Sequence, residues 1–288
     1  MSINQTAPSV GLRASSGGQV VTRVPGAVET DRVRFARRRR IKDNLLRWGT
    51  PVLVLSLWQL TTALGVLDEQ FWPAPASVFA KAWETIQSGL LPEHLGVTVQ
   101  RLLTGYLAGA IAGVALGLIF GTVRSIRVAL EPIISALYTV PKLALFPFML
   151  LVFGLGPAPK IIMTALAVFF ITCISTSAAV LGVSDAMHEP IRSFGATRMQ
   201  TFRHLIVPAV LPEIFVALRL GSGTAVLVLI AIEMIQGSDG LGFVIWSSWQ
   251  VFDTERMYVG IIVAALMGVI FQMGVKAIGR LLVPWKPR

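Results

Sequence analysis

Charge is scarce in this chain. Only 14% of its 288 residues are Asp, Glu, Lys or Arg, against about 25% in an ordinary soluble domain. The shortfall excludes a chain whose whole surface meets water. Cysteine is nearly absent: Cys173 stands alone, which excludes an internal disulfide and reads as a small buried apolar residue. No G-x-x-x-x-G-K-[ST] phosphate loop occurs, so the chain lacks that route to nucleotide hydrolysis. The three histidines, His94, His188 and His204, are scattered, and no Cys/His group has ligand spacing, so neither metal nor catalytic residues are expected. The period-two alternation of an outer-membrane barrel is missing as well.

Apolar sequence fills the space. The chain is 54% hydrophobic, with a mean hydropathy of +0.71. A helical span needs about 20 apolar residues. Six stretches qualify, at about 50–67, 98–122, 129–153, 158–182, 209–235 and 257–282. The expectation is an all-α integral membrane protein with six transmembrane helices. Between the first two stretches, Val78, Phe79, Ala82, Trp83, Ile86 and Leu90 recur at helical spacing. They predict an amphipathic helix on the membrane surface. Residues 1–31 are rich in Ser, Gly, Thr and Pro and read as a mobile tail. The first apolar run begins only near Thr50, so no cleavable signal is expected. The division is therefore a disordered, basic tail over 1–47 and a membrane domain over 48–288.

The net charge is +10, and its position matters more than its sum. Eight basic residues lie between Arg32 and Arg47. No aromatic-interleaved soluble domain accompanies them, so nucleic acid is not an expected partner. Such a flank beside a span sets topology and suits anionic lipid headgroups. With the tail inside, the inner segments hold Arg124, Arg127, Arg192, Arg198, Arg203, Arg280, Lys286 and Arg288. The outer ones hold Lys81, Lys160 and Arg256, with the acidic residues Asp68, Glu69, Glu84, Glu93, Asp239, Asp253 and Glu255. That asymmetry puts both termini in the cytoplasm, which requires an even number of spans.

Gly105, Gly109, Gly113, Gly117 and Gly121 recur every four residues in the second span. A stripe of this kind lets another helix approach closely, and helix packing is the reading preferred over a glycine-lined ligand site. Ala217, Gly221 and Ala225, and Gly260, Ala264 and Gly268, repeat the theme.

Segment 183–208 is polar but patterned. Gly195 suits the residue just past a helix end, with positive φ. Thr197 and Gln200 form a capping-box pair for a second short helix, which Pro208 ends. Met199, Phe202, Leu205 and Ile206 give that helix an apolar side beside Arg198 and Arg203. A cytoplasmic elbow results. Apolar residues ringed by basic ones suit a docking surface; a helix resting on lipid fits the pattern equally.

The spacing Glu189, Gly195, Leu205-Ile206-Val207-Pro208 resembles the EAA motif of ABC-importer permeases, with Pro190 and Ile191 where that family usually has two alanines. Proline is tolerated in a first helical turn, so the elbow is expected to survive. The resemblance covers about 50–285. Val140-Pro141-Lys142-Leu143-Ala144-Leu145-Phe146-Pro147, Phe153-Gly154-Leu155-Gly156, Leu211-Pro212-Glu213-Ile214 with Arg219, Gly240-Leu241-Gly242-Phe243 and Phe252-Asp253-Thr254-Glu255-Arg256 are similar to the nitrate/sulfonate/taurine branch. The resemblance implies a type I ABC importer permease fold in the bacterial inner membrane. It implies a homodimer with two ABC ATPase subunits, which bind ATP and magnesium, and a solute-binding protein on the outer face. It makes the elbow the ATPase-coupling segment, through Glu189, Gly195, Ala196, Thr197, Arg198, Met199, Phe202, Arg203 and Pro208. The implied cargo is a small anion such as a sulfonate, taurine or nitrate; other members of the branch carry thiamine precursors or aromatic acids.

Ionisable groups at membrane depth are functional candidates. Lys142 stands between Pro141 and Pro147 and reads either as a cation on the pathway or as a snorkelling structural charge. Glu233, with Gln236 beyond it, reads as lining an outer gate or reaching the headgroups. Arg101 and Arg219 read as structural charges, with Glu131 and Glu213 as candidate partners and the pairing left open by the sequence. Two other classes compete: an ion-coupled secondary transporter or channel, which calls for inverted repeats with matched broken helices, and a non-transporting scaffold, which needs no elbow.

Overall fold

The computed structural model describes residues 32–285; the expected tail over 1–31, Lys286 and Arg288 lie outside them. The chain divides into a unit ending at Trp58 and one beginning at Gln59. Of the first unit, the described part is the start of helix α1 (Arg32–Ala63). The basic run is therefore helical, where a disordered tail to residue 47 was expected. Arg, Lys, Leu and Ala are good helix formers, and positions 32–48 contain neither glycine nor proline.

The second unit takes in the end of α1 and then α2 (Pro75–Gln87), α3 (Leu90–Thr122), α4 (Arg124–Thr139), α5 (Phe146–Phe153) and α6 (Pro157–Leu181). It continues through α7 (Asp185–Ser193), α8 (Arg198–Thr201), α9 (Val207–Ile235), α10 (Leu241–Gln250) and α11 (Thr254–Leu282). Among the described residues every regular element is helical. Pro75 opens α2 at a position where its missing N–H is no loss. Val78 and Thr85 of α2 are buried while Phe79 and Trp83 are exposed, and the helix packs on α11.

Four helical runs are long and apolar enough to cross a membrane: α3, α6, the run from Arg198 through α9 to Ile235, and α11. A fifth is reached if α4 and the Lys142–Phe153 segment count as one span, bent by 91°. Of the three prolines expected to interrupt it, Pro132 lies inside α4 and Pro147 sits in the first turn of α5, so neither breaks a helix. The break falls at Pro141, which precedes a short 3₁₀ turn, Lys142–Leu145. The stretch expected to be the first span ends its helix at Ala63 and shares it with the basic run, so it does not reach the same hydropathy.

Helix α6 lies between α3 and α9, and glycine sets its distance from α3. A Cβ on Gly105 would stand 2.8 Å from the Ile161 carbonyl oxygen, and one on Gly117 would stand 2.6 Å from that of Cys173. Gly109 and Gly113 face the Ala165 and Phe169 carbonyls in the same way, and Gly121 faces the Val180 side chain. The two backbones are thus in direct contact from Gly105 to Gly117, as small-residue packing in lipid requires. Gly221 meets Val168 and Gly268 meets Val226 at a looser 3.4 Å. Tyr106 joins three helices: its hydroxyl donates to the Leu218 carbonyl at 3.1 Å, and its ring meets Phe271 edge-on at 4.9 Å.

Candidate functional site

Two polar regions sit at opposite ends of α9. Its 29 residues separate them by about 40 Å at 1.5 Å per residue.

At the N-terminal end is the elbow. Helix α7 ends in a Schellman turn: the Ala196 N–H donates to the Ile191 carbonyl at 3.3 Å, and Gly195 takes φ +70°. That left-handed conformation is costly for any residue with a Cβ. Thr197 then caps α8. Its hydroxyl accepts the Gln200 N–H at 3.3 Å, and the Gln200 side chain accepts the Thr197 N–H at 2.8 Å, a reciprocal capping box. Pro190 lies inside α7, at its sixth residue, and not in the first turn as expected.

The second short helix does not stop at Pro208. It passes through a π turn, Phe202–Ile206, closed by the Val207 N–H on the Phe202 carbonyl, and runs on into α9. Pro208 has no N–H for the next helical bond and its ring crowds the His204 carbonyl. The wider turn absorbs both, so the helix continues where a tighter one would break. The exposed apolar residues also differ from expectation. Phe202 is half-buried, whereas Phe194 is 90% exposed, with Met199 and Met187 also exposed. Arg198, Arg203 and Glu189 are exposed beside them and Ala196 is partly covered.

At the C-terminal end of α9 is a buried charged node. Glu233 has no exposed surface. Its Oε1 takes Arg101 Nη1 at 3.0 Å; its Oε2 takes the Thr98 hydroxyl at 2.9 Å and the Gly242 N–H at 3.1 Å. Arg101 also reaches Asp239, with Nη2 at 2.6 Å from Oδ1, and Lys160 Nζ stands 3.5 Å from the same oxygen. The Thr98 hydroxyl accepts the Leu241 N–H at 2.8 Å, and His94 Nδ1 accepts the Gly240 N–H at 3.0 Å. So α3, α6, α9 and α10 meet through one polar cluster, in which Glu233 serves as the anion at the N-terminus of α10.

This node explains the Gly240-Leu241-Gly242 signature. Gly240 has φ +98°, and a side chain there would run into the Glu233 carboxylate. Asp239 sits in the connection between α9 and α10, outside the helical spans. Partial burial pushes its carboxyl up, but the hydrogen bond and charge of Arg101, joined by Lys160, outweigh that and hold it below the usual carboxylate range.

The node corrects two expectations. Arg101 pairs with Glu233 and Asp239, not with Glu131 or Glu213. Glu233 neither lines an opening nor reaches headgroups, because the chain itself encloses it. Thr98, Lys160, Asp239 and His94 were not singled out for this role; the usable signal was that Arg101 and Glu233 lie near the same end of their spans. Gln236 is half-buried at the end of α9. Lys142, at the Pro141 bend, donates to the Tyr138 carbonyl at 2.8 Å and lies 4.4 Å from the Tyr138 ring centre and 5.5 Å from that of Phe170. It thereby satisfies one carbonyl in the last turn of α4 and lies over an aromatic face.

Fold and site together define a helical, multi-pass membrane protein with a structured polar elbow. Residues 105–286 match the family described as binding-protein-dependent transport system inner membrane component. The taurine transport system permease protein TauC of Escherichia coli (strain K12) is 31% identical over 242 residues, covering 82% of this chain and 88% of that protein. The putative aliphatic sulfonates transport permease protein SsuC of the same organism is 33% identical over 250 residues, covering 86% and 95%. Among solved structures, a bacterial alginate ABC transporter, in complex with an alginate pentasaccharide-bound periplasmic protein, superimposes with a TM-score of 0.58 at 16% identity, over 89% of this chain and 96% of that one. The chain belongs to the binding-protein-dependent transport system inner membrane component family, and is an ABC importer permease.

Proposed function

We propose that this chain forms the translocation pathway of an importer for a small anionic solute, a sulfonate, taurine or nitrate, and couples that pathway to ATP hydrolysis in separate subunits. The elbow carries the reading. A left-handed Gly195 and a closed capping box hold Phe194 and Met199 out in water beside Arg198 and Arg203. A rigid turn that exposes a phenylalanine has the form of one half of an interface. Two ATPase subunits, each binding ATP and magnesium, dock on the elbows of a homodimer, and a solute-binding protein engages the other face. The basic asymmetry places the elbow and both termini in the cytoplasm and the Glu233 node at the outer surface of the inner membrane. The apolar part of α1 supplies the sixth span. Pro141, Lys142, Pro147 and Gln236 are the pathway residues; the enclosed Glu233 leaves that set. The names of the sulfonate-class relatives support the cargo class.

An ion-coupled transporter or channel would need a second broken span matched to the first, and among the described residues the bent pair at Pro141 has no such counterpart. The test is purification in mild detergent with the ATPase subunits co-expressed. Retention of an ATPase subunit, and uptake that Gly195→Asp uncouples from ATP hydrolysis, are the expected outcomes. A protein that never retains that subunit, or uptake indifferent to Gly195→Asp, contradicts the reading.

A further inference from the structure

The two carboxylates of the buried node are not equivalent. Glu233 is enclosed, with both oxygens engaged by donors from α3 and α10. Asp239 is carried on the non-helical connection 236–240, and its side chain is 41% exposed. Both cation contacts of its carboxylate converge on Oδ1, with Arg101 Nη2 at 2.6 Å and Lys160 Nζ at 3.5 Å, and Arg101 Nη1 also donates to the Asp239 carbonyl at 3.4 Å. Arg101 and Lys160 are each more than nine-tenths buried.

The cations differ in the same sense. Arg101 keeps Glu233 whatever Asp239 does. Lys160, among the described residues, has its ion pair with Asp239 alone, and an ammonium group offers three donors. If Asp239 leaves, one buried positive charge remains without a partner, a state that a dry site does not tolerate. The connection allows departure on one side only. The Gly240 and Leu241 N–H groups are tied to His94 and Thr98, so departure of Asp239 requires residues 236–239 to move and the bond from Arg101 Nη1 to the Asp239 carbonyl to break.

We propose that Arg101 and Lys160 form an anion subsite whose resident occupant is the Asp239 carboxylate, and that an oxyanion solute replaces it when residues 236–239 swing out. The solute's oxygen would stand where Oδ1 stands, between a guanidinium and an ammonium from two different helices. This rests on the function proposed above only for the class of ligand. A tethered carboxylate competes at an effective concentration in the millimolar range. The subsite is therefore weak while the connection is closed and becomes available when it opens.

The test uses the full-length permease assembled with its ATPase subunits in lipid nanodiscs. Methanesulfonate is titrated against chloride at constant ionic strength, and the thermal unfolding midpoint of the permease is followed. In Asp239→Ala the midpoint is expected to rise saturably, by about 2–4 °C at tenfold excess over the dissociation constant. The wild type should respond much less, and Lys160→Met combined with Asp239→Ala should not respond. If Asp239→Ala fails to assemble, Asp239→Asn carries the test, because it removes the charge and keeps the shape. No saturable rise in a folded Asp239 variant overturns the proposal. So does an equal rise in the wild type, or one that survives loss of Lys160. ATPase retention and ATP turnover in the same samples report separately on the permease reading: their loss with the anion response intact sinks that reading alone.

Discussion

Arg101 and Glu233 meet at 3.0 Å inside the protein, from positions 132 residues apart. Neither has more than 7% of its side chain exposed. Breaking such a pair from one side leaves a buried charge uncompensated, at a cost of about 3–5 kcal/mol, whereas removing both charges together is far milder. Arg101→Ala should therefore lower the unfolding midpoint sharply. Arg101→Met combined with Glu233→Met should recover much of the loss, as followed by thermal unfolding in detergent. Equal losses in the single and double variants would show that the pair is not energetically coupled.

The node should also give a pH signature. Asp239 is held below its ordinary value. A carboxylate depressed in the folded state stabilises it while ionised, fully so above its unfolded pKa, and the contribution is lost as pH falls through the folded pKa. Since ordinary Asp titrates near about 3.9, the contribution should be constant across neutral pH and decline only below about pH 4. The difference in midpoint between wild type and Asp239→Asn, measured from pH 7 to pH 3, should shrink only at the acid end. A difference that vanishes at pH 6 would contradict this.

Helix α3 offers a contrast with α11. A side chain at Gly113 would collide with the Phe169 carbonyl and the Thr172 hydroxyl, while Gly274 has open space around it. Gly113→Val should cost about 1–3 kcal/mol or more by forcing α3 off α6. Gly274→Ala should leave the midpoint unchanged or raised, since alanine favours the helix. Detergent unfolding of both variants checks the pair.

At the elbow, Phe194 is nearly free of its own chain, so Phe194→Ala should leave stability within about 0.5 kcal/mol of wild type. If Phe194 anchors the ATPase subunit, the same change should weaken retention of that subunit about tenfold or more. Phe202→Ala, at a half-buried position, should act on stability first. Pull-down and unfolding on the same preparations separate the two effects.

The helical, membrane-embedded character of this protein was legible in its sequence because it is written in local chemistry. Hydropathy over twenty residues marks a span without reference to any other segment, and the stripe from Gly105 to Gly121 shows its period directly. The Thr197–Gln200 capping box and the left-handed Gly195 are equally local, so the turn chemistry of the elbow was readable too. What depended on neighbours was not. Whether Pro208 stops a helix or is absorbed by a π turn is decided by how the chain continues into α9. Whether Phe194 or Phe202 is the exposed ring depends on which one α9 carries toward the packed side. The partners of Arg101 were beyond reach for the same reason. Glu233 and Asp239 are far away in the chain, and only the packing of α3, α6, α9 and α10 brings two cations and two carboxylates to one point. Composition determined that this chain lives in a bilayer; tertiary structure alone decided which buried charges face one another.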